Sequence, residues 1–415
     1  MQRFGVGKVT ISLVAMAAFT AACGNTMGEP ATWVTPTPAV PAYAAQLERT
    51  LQTIVGDLHV PGAVVMITSP AKGDWAQTFG TAELDGNAPI NVGDHFRIGS
   101  NTKTMTGTAL LQLVQEGKIG LDDPVSKYRP EVPNGDNITI AQMLSMRSGL
   151  YNYSEDEQFN ADLDSDPLRV WKPDELLAIA FAKPPYFAPG AGFHYSNTNL
   201  ILAGLIVEQL TGHSLQDEFQ QRIFGPLGLK QTLLPAATES DLPTPHPQGY
   251  MFGTNVSTLT DPALPPAEQA AVAAGTLQPR DVTVSNPSWA WAAGGAISTA
   301  PDLTRYATAL VGGGLLDAKT QQIRLDSIQP IQTPAPIEVG YGLAIARFGP
   351  LYGHDGQLPG FNSFMAHDPV RKDTVIVLTT LTAAADGRQP ANALAMAIIG
   401  ALYDLPAAPS PTPSR

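Results

Sequence analysis

A serine hydroxyl becomes a nucleophile when a base takes its proton, and Ser100-Asn101-Thr102-Lys103 supplies both groups. On a helix, a residue three positions further on returns to the same face about one turn away, so the Lys103 amine reaches the Ser100 hydroxyl. Two later stretches extend the set, Tyr195-Ser196-Asn197 and His354-Asp355-Gly356. A phenol and an imidazole move protons, and an amide both donates and accepts hydrogen bonds. The chemistry these groups suit is acyl transfer. Ser100 attacks a carbonyl carbon, and Lys103 accepts its proton once burial and neighbouring donors lower the amine from its usual pKa of about 10.4 toward neutrality. A phenol beside an ammonium loses its proton more easily, so Tyr195 is expected to ionise readily and relay protons to the leaving group and from the incoming water. Asn197 is expected to hold both Lys103 and a substrate amide.

The spacing of Ser100 and Lys103 alone is a weak signal, because Ser69-Pro70-Ala71-Lys72 repeats it. There Pro70 and Gly73 predict a turn, which gives Lys72 no helical turn to bring it back over Ser69. Ser100 could equally cap a helix with Lys103 solvated in its first turn. The other two stretches decide between these readings: Tyr195-Ser196-Asn197 is the chain's only Y-x-N and His354-Asp355-Gly356 its only H-x-G. Lys118-Ile119-Gly120 looks like a K-x-G element but follows directly on the Ser100 helix, as a C-terminal turn does. His59, His95, His194, His213, His246 and His367 have no metal-ligand spacing, so neither a metal nor a cofactor is expected. No G-x-S-x-G occurs, which leaves an α/β-hydrolase elbow without support.

The positioning elements follow from hydrophobic period. Residues 44–58 have helical spacing, and Pro61-Gly62 ends them before a strand at 63–67 that turns back into 75–79 as a hairpin. Residues 100–115 read as an amphipathic helix opened by Ser100, with its other face buried and Gly117 ending it. Helices and loops dominate to about residue 280, including 200–210. Strand patterns return at 342–348, 361–367 and 374–380, and a last helix spans 391–403. This order predicts an α/β (α+β) fold: an antiparallel sheet flanked by helices and built from both chain ends, with an inserted, mostly helical domain and the site between the two. The sheet part is expected at about 43–99 and 285–405, and the helical part at about 100–284.

With 415 residues and 44% hydrophobic content, the chain can bury a large core. A net charge of -13 argues against nucleic-acid or anionic-lipid partners. Residues 1–22 carry Arg3 and Lys8, an apolar run at 9–18 and small residues before Cys23, the pattern of an export signal. Cys23, the only cysteine, resembles a lipidation site that would anchor the exported protein to the membrane, with plain secretion as the alternative. Residues 23–42 read as a Pro-rich tether, 43–405 as the hydrolase body and 406–415 as a disordered tail.

Ser100-x-x-Lys103, Tyr195-x-Asn197 and His354-x-Gly356, in this order, resemble the serine penicillin-recognising superfamily: penicillin-binding proteins, class C type β-lactamases, DD-carboxypeptidases and related esterases. Further similar phrases are Phe96-Arg97-Ile98-Gly99-Ser100, Met143-Leu144-Ser145-Met146-Arg147-Ser148-Gly149-Leu150, Pro226-Leu227-Gly228-Leu229 and Ala293-Gly294-Gly295, so the resemblance covers nearly the whole body. It implies that the backbone N–H groups of Ser100 and Gln357 hold the oxyanion, and that Gly356 keeps a strand bare for substrate. His354 stands where β-lactamases usually have lysine, as in one branch of DD-carboxypeptidases and in some esterases. A D-Ala-D-Ala cell-wall peptide is therefore the leading substrate. An ester or D-amino-acid amide is the alternative, and an idle binding protein the third reading. Carboxypeptidases of that branch need a cation for the substrate carboxylate. Arg347 is the candidate, with Trp291 a candidate cleft wall; period-2 alternation would set Arg347 on the side of Leu343 and Ile345.

Overall fold

The structure is a computed structural model that describes residues 40–405 apart from 334. The signal segment, Cys23, the tether up to residue 39 and the 406–415 tail lie outside the described residues.

Strands buried on both faces read as continuous apolar runs, and Phe361–His367 and Thr374–Thr379 are buried at every position. They lie at the middle of an eight-stranded sheet in the order Trp75–Gly80, Gly62–Thr68, Thr374–Thr379, Phe361–His367, Leu351–Leu358, Ile345–Phe348, Val339–Gly342 and Gln329–Ile331. Every neighbouring pair is antiparallel, and the strands come from both ends of the body, as expected from the sequence. Adjacent residues of Phe361–His367 show what covers each face. Asn362 Oδ1 accepts the Ala391 N–H at 2.8 Å from the helix Pro390–Tyr403, while Ser363 Oγ meets Asn101 Nδ2 at 2.8 Å on the side of the nucleophile.

Residues 342–348 are two strands rather than one. Val339–Gly342 and Ile345–Phe348 form a tight hairpin through Leu343 and Ala344, and Ala344 takes a left-handed φ of 51°. A non-glycine residue there is strained, and the turn is held from outside. Ala344 N donates to Leu144 O at 3.0 Å, and its carbonyl accepts from the buried Arg324 at 3.0 Å.

The helix carrying Lys103 also departs from expectation. Ser100 sits in a short 3-10 turn, Gly99–Asn101, that runs into the helix Thr102–Gln115. This helix has no solvent face over its first three turns, since residues 102–111 are all buried. Its threonines are tolerated there because each hydroxyl finds a carbonyl: Thr102 to Gly99 at 2.8 Å, Thr104 to Asn101 at 2.7 Å, Thr106 to Ala292 at 2.6 Å and Thr108 to Thr104 at 2.7 Å. Gly107 lets the Ala344 turn lie against it: a Cβ at Gly107 would come within 2.4 Å of the Ala344 methyl. A long helix driven into the molecule in this way holds its first turn, and so the nucleophile, against the sheet.

Candidate active site

The strand pair Phe96–Arg97 and Ile297–Ser298 delivers the chain to Ser100 from one side, and the strand Leu351–Leu358 approaches from the other. Ile345–Phe348 pairs with that strand only as far as Gly353. Beyond it, the edge of residues 355–357 borders a cleft of about 340 Å3, lined by Ser100, Tyr195, Asp355, Gly356, Gln357 and Gln389. Contact across this wall is too close for side chains. A Cβ at Gly356 would sit 2.1 Å from Ile98 O and 2.9 Å from Ser100 N, and one at Gly99 would sit 2.5 Å from Gln357 N. The two bare α-carbons therefore bring the backbone amides of Ser100 and Gln357, the expected oxyanion donors, to the same stretch of cleft.

Lys103 is fully buried, and its Nζ lies 2.9 Å from Ser100 Oγ, 2.6 Å from Asn197 Oδ1 and 2.7 Å from Ala293 O. All three oxygens accept from Nζ. In the neutral form of the amine, two N–H groups keep the Asn197 and Ala293 oxygens and the lone pair is left for the Ser100 hydroxyl. Burial pushes the Lys103 pKa well below its ordinary value, against the opposing pull of the Asp355 charge. This lowered proton affinity suits Lys103 to the role of base expected from the sequence.

Tyr195 behaves differently from the expectation. Its ring lies 4.8 Å from Lys103 Nζ, yet its pKa is raised well above the usual phenol value. Burial is the largest cause, with Tyr341 and Asp355 adding to it and the Ser100 hydroxyl partly offsetting them. Burial lowers the proton affinity of the neighbouring lysine, so less positive charge is held there to draw the phenol proton off. Tyr195 is therefore a phenol that holds its proton until a leaving atom can take it.

Asn197 is brought to Lys103 and is not among the residues lining the cleft. Its Nδ2 donates to Ser154 Oγ at 2.9 Å, and Ser154 in turn donates to Asn152 Oδ1 at 3.0 Å. The amide thus fixes the lysine from behind.

His354 is also set back, only 2% exposed and not among the residues lining the cleft. Its Nδ1 is 2.6 Å from the Asp355 carbonyl, which can only accept, so Nδ1 carries the hydrogen and Nε2 accepts from the Tyr341 hydroxyl at 3.2 Å. With both nitrogens engaged, His354 orders the strand edge and packs 6.0 Å from the Tyr195 ring.

Two proposed substrate contacts are not brought to the cleft. Arg347 donates to Glu338 and pairs across the sheet with Tyr352 and Gly340; it shares a strand face with Ile345, as the period-2 argument set it, while the turn at Leu343 and Ala344 interrupts the strand before them. Trp291 packs its ring edge against Gly204, 3.0 Å from where a Cβ there would sit. Sequence reasoning missed the Ala293 carbonyl, Ser154, Tyr341 and Gln389. It had treated Asp355 only as the middle of H-x-G, although Asp355 lines the cleft. Burial pushes its carboxyl up, but the hydrogen bond and charge interaction with His354, together with the Asn392 hydrogen bond, outweigh this and hold it below its ordinary value. Among the described residues no group of three or more His, Cys, Asp or Glu could hold a metal ion.

An antiparallel sheet with flanking helices and a buried serine–lysine–tyrosine cluster at a strand edge defines a serine hydrolase of the penicillin-recognising type. The chain belongs to the β-lactamase family, whose model matches residues 47–398. The structure is similar to a D-stereospecific amidohydrolase from Streptomyces sp., with a TM-score of 0.71 and 31% identity over 86% of this chain and 97% of that one. It is also similar to the D-amino acid amidase of Ochrobactrum anthropi SV3, with a TM-score of 0.71 and 26% identity over 86% and 99%. Penicillin-binding protein 4* of Bacillus subtilis (strain 168) is 24% identical over 87% of this chain and 78% of its own length. The chain spans 35% of protein flp of Staphylococcus aureus (strain MW2), to which it is 35% identical over 182 residues.

Proposed function

We propose that the protein hydrolyses amides or esters through an acyl-enzyme on Ser100, with substrates that carry no free carboxylate beside the scissile bond. One observation carries this choice over a D-Ala-D-Ala carboxypeptidase: among the described residues, the only formally charged side chain lining the cleft is the carboxylate of Asp355, while Arg347 is paired with Glu338. A terminal carboxylate would meet a like charge there. The amidohydrolase and amidase among the similar structures support an amide of a D-amino acid as the acyl donor.

In the first half of the reaction the Ser100 hydroxyl proton passes to Lys103 Nζ as Oγ bonds to the carbonyl carbon. The oxyanion rests on the Ser100 and Gln357 N–H groups, which supply about 3 kcal/mol of transition-state stabilisation. Tyr195 gives its proton to the leaving nitrogen or oxygen and recovers one from the Lys103 ammonium, so the net transfer is from Ser100 to the leaving group. Water then attacks the ester, its proton returns along the same path to Ser100, and the acid is released.

The test is a substrate series on the purified protein. A D-amino-acid amide and a short-chain nitrophenyl ester are turned over at least about tenfold faster, as kcat/KM, than a D-Ala-D-Ala peptide, a gap of about 1.4 kcal/mol. A faster rate on the peptide returns the assignment to a carboxypeptidase.

We also propose export and anchoring through an acylated Cys23, on the signal-like pattern of residues 1–22. Cys23→Ala is expected to move the protein from the membrane to the soluble fraction of fractionated cells. Unchanged membrane association argues against the lipid anchor.

A further inference from the structure

The Asp355 carboxylate is a charge the hydrolytic steps above do not use. Its side chain is 32% exposed. Asn392 Nδ2 donates to Oδ2 at 2.7 Å, and Oδ1 lies 3.4 Å from His354 Nδ1. That nitrogen also donates to the Asp355 carbonyl at 2.6 Å, so the carboxylate shares it. The remaining ionisable neighbour, Lys103, is the buried amine behind Ser100. The N-terminal end of the helix Pro390–Tyr403 reaches the same wall, and its Asn392 amide is engaged by Asp355 and Gln389, the latter at 2.7 Å. Asp355 thus lines the cleft as a partly exposed carboxylate whose one ion-pair partner among the described residues is His354.

Its position tells which part of a substrate it meets. Gln357, two residues on, supplies an oxyanion donor and fixes where the carbonyl lies. Asp355 lies on the other side of Gly356, against the His354 ring, which packs 6.0 Å from the Tyr195 ring. Tyr195 is the proton source for the departing atom. Asp355 and Tyr195 line the same cleft beside Ser100, so a leaving group protonated by Tyr195 departs through a space that the carboxylate borders.

We infer that Asp355 is a specificity residue for a positively charged leaving group: the preferred substrates are amides or esters whose departing amine or alcohol carries a cationic nitrogen. This rests on the reading of the cleft as an amide or ester hydrolase site. The net charge of -13 acts in the same direction, drawing cations toward the protein. A partly solvated ion pair of this kind gives a preference of about tenfold in kcat/KM, weakened by salt.

Three esters of one D-amino acid test it: choline as a cationic leaving group, 3,3-dimethylbutanol as its neutral isostere and D-lactate as an anionic one. The expected order in kcat/KM is choline, dimethylbutyl, lactate, with the first ratio about tenfold at low salt and falling toward one at 0.5 M salt. In Asp355→Asn the choline-to-dimethylbutyl ratio falls to within about twofold of one, whatever happens to the absolute rates. Equal rates on the first two esters in wild type, or a preference that survives Asp355→Asn, overturns the inference. Should that variant not fold, the wild-type ratio and its salt dependence decide alone. Failure to turn over even the neutral ester instead removes the hydrolase reading beneath it.

Discussion

Ser100→Ala is expected to lose at least about 10^4-fold in kcat and to form no adduct with a fluorophosphonate, while keeping the fold of the wild type. The loss is large because Ser100 supplies the atom that bonds to the substrate carbonyl. Lys103, Tyr195 and the two oxyanion amides remain, but they act on a reaction that has no other nucleophile positioned to use them. The fold is preserved because the change removes one hydroxyl at the rim of the cleft, where its partner Lys103 keeps the oxygens of Asn197 and Ala293. Steady-state rates on the nitrophenyl ester, with circular dichroism as the control, measure both halves. Residual activity within about a hundredfold of wild type would show that another group makes the covalent bond.

Lys103→Met is expected to lose about 10^3-fold, the scale of a positioned general base, and Lys103→Arg to lose as much. The arginine comparison separates two roles for the side chain. A guanidinium keeps the positive charge but does not give up its proton, so it rescues an electrostatic role and not a basic one. The pH profile follows from the same state. Burial lowers the Lys103 pKa, and only the neutral amine accepts the Ser100 proton. Wild-type kcat/KM therefore falls as pH drops through that lowered value and is level above it. Tyr195 works in its protonated form and its pKa is raised, so the phenol causes no loss of rate through the ordinary range of tyrosine ionisation near pH 10. A rate that kept climbing to pH 10, or activity retained in Lys103→Arg, would mean that Lys103 acts as a cation.

The parts of this site legible in the sequence are those set by local geometry or by rarity. Ser100 and Lys103 are three residues apart on a continuous helical track, and the structure joins them at 2.9 Å. Tyr195 and His354 stood out as members of motifs that occur once, and both are found within one cluster around Lys103 and Tyr341. What was not legible depends on tertiary placement. Ala293, Ser154 and Tyr341 reach their partners across 190, 43 and 13 residues and carry no spacing signal. The turn at Leu343 and Ala344 has none of the usual turn residues, and its left-handed alanine is held by Leu144 and Arg324, which are remote in the chain. The proton affinity of Tyr195 was misjudged because the sequence shows the nearby lysine but not that the phenol is itself buried and that burial lowers the lysine's hold on its proton.

The sheet was read from both chain ends because its central strands are long and apolar. The short strands Gln329–Ile331 and Val339–Gly342 escaped notice, one containing Pro330 and the other two glycines, which give no strand signal. Arg347 was named because the resemblance calls for a cation near the cleft, and the structure instead pairs it with Glu338.

Intact-protein mass spectrometry after reaction with a fluorophosphonate across a range of pH, with peptide mapping of the adduct, tests the serine–lysine pair most directly. One adduct per chain is expected, on the peptide containing Ser100, with a labelling rate that rises with pH to a plateau below the ordinary lysine range and is lost in both Lys103→Met and Lys103→Arg. Labelling at a different residue, or labelling of Ser100 at an unchanged rate in the two lysine variants, would contradict the account.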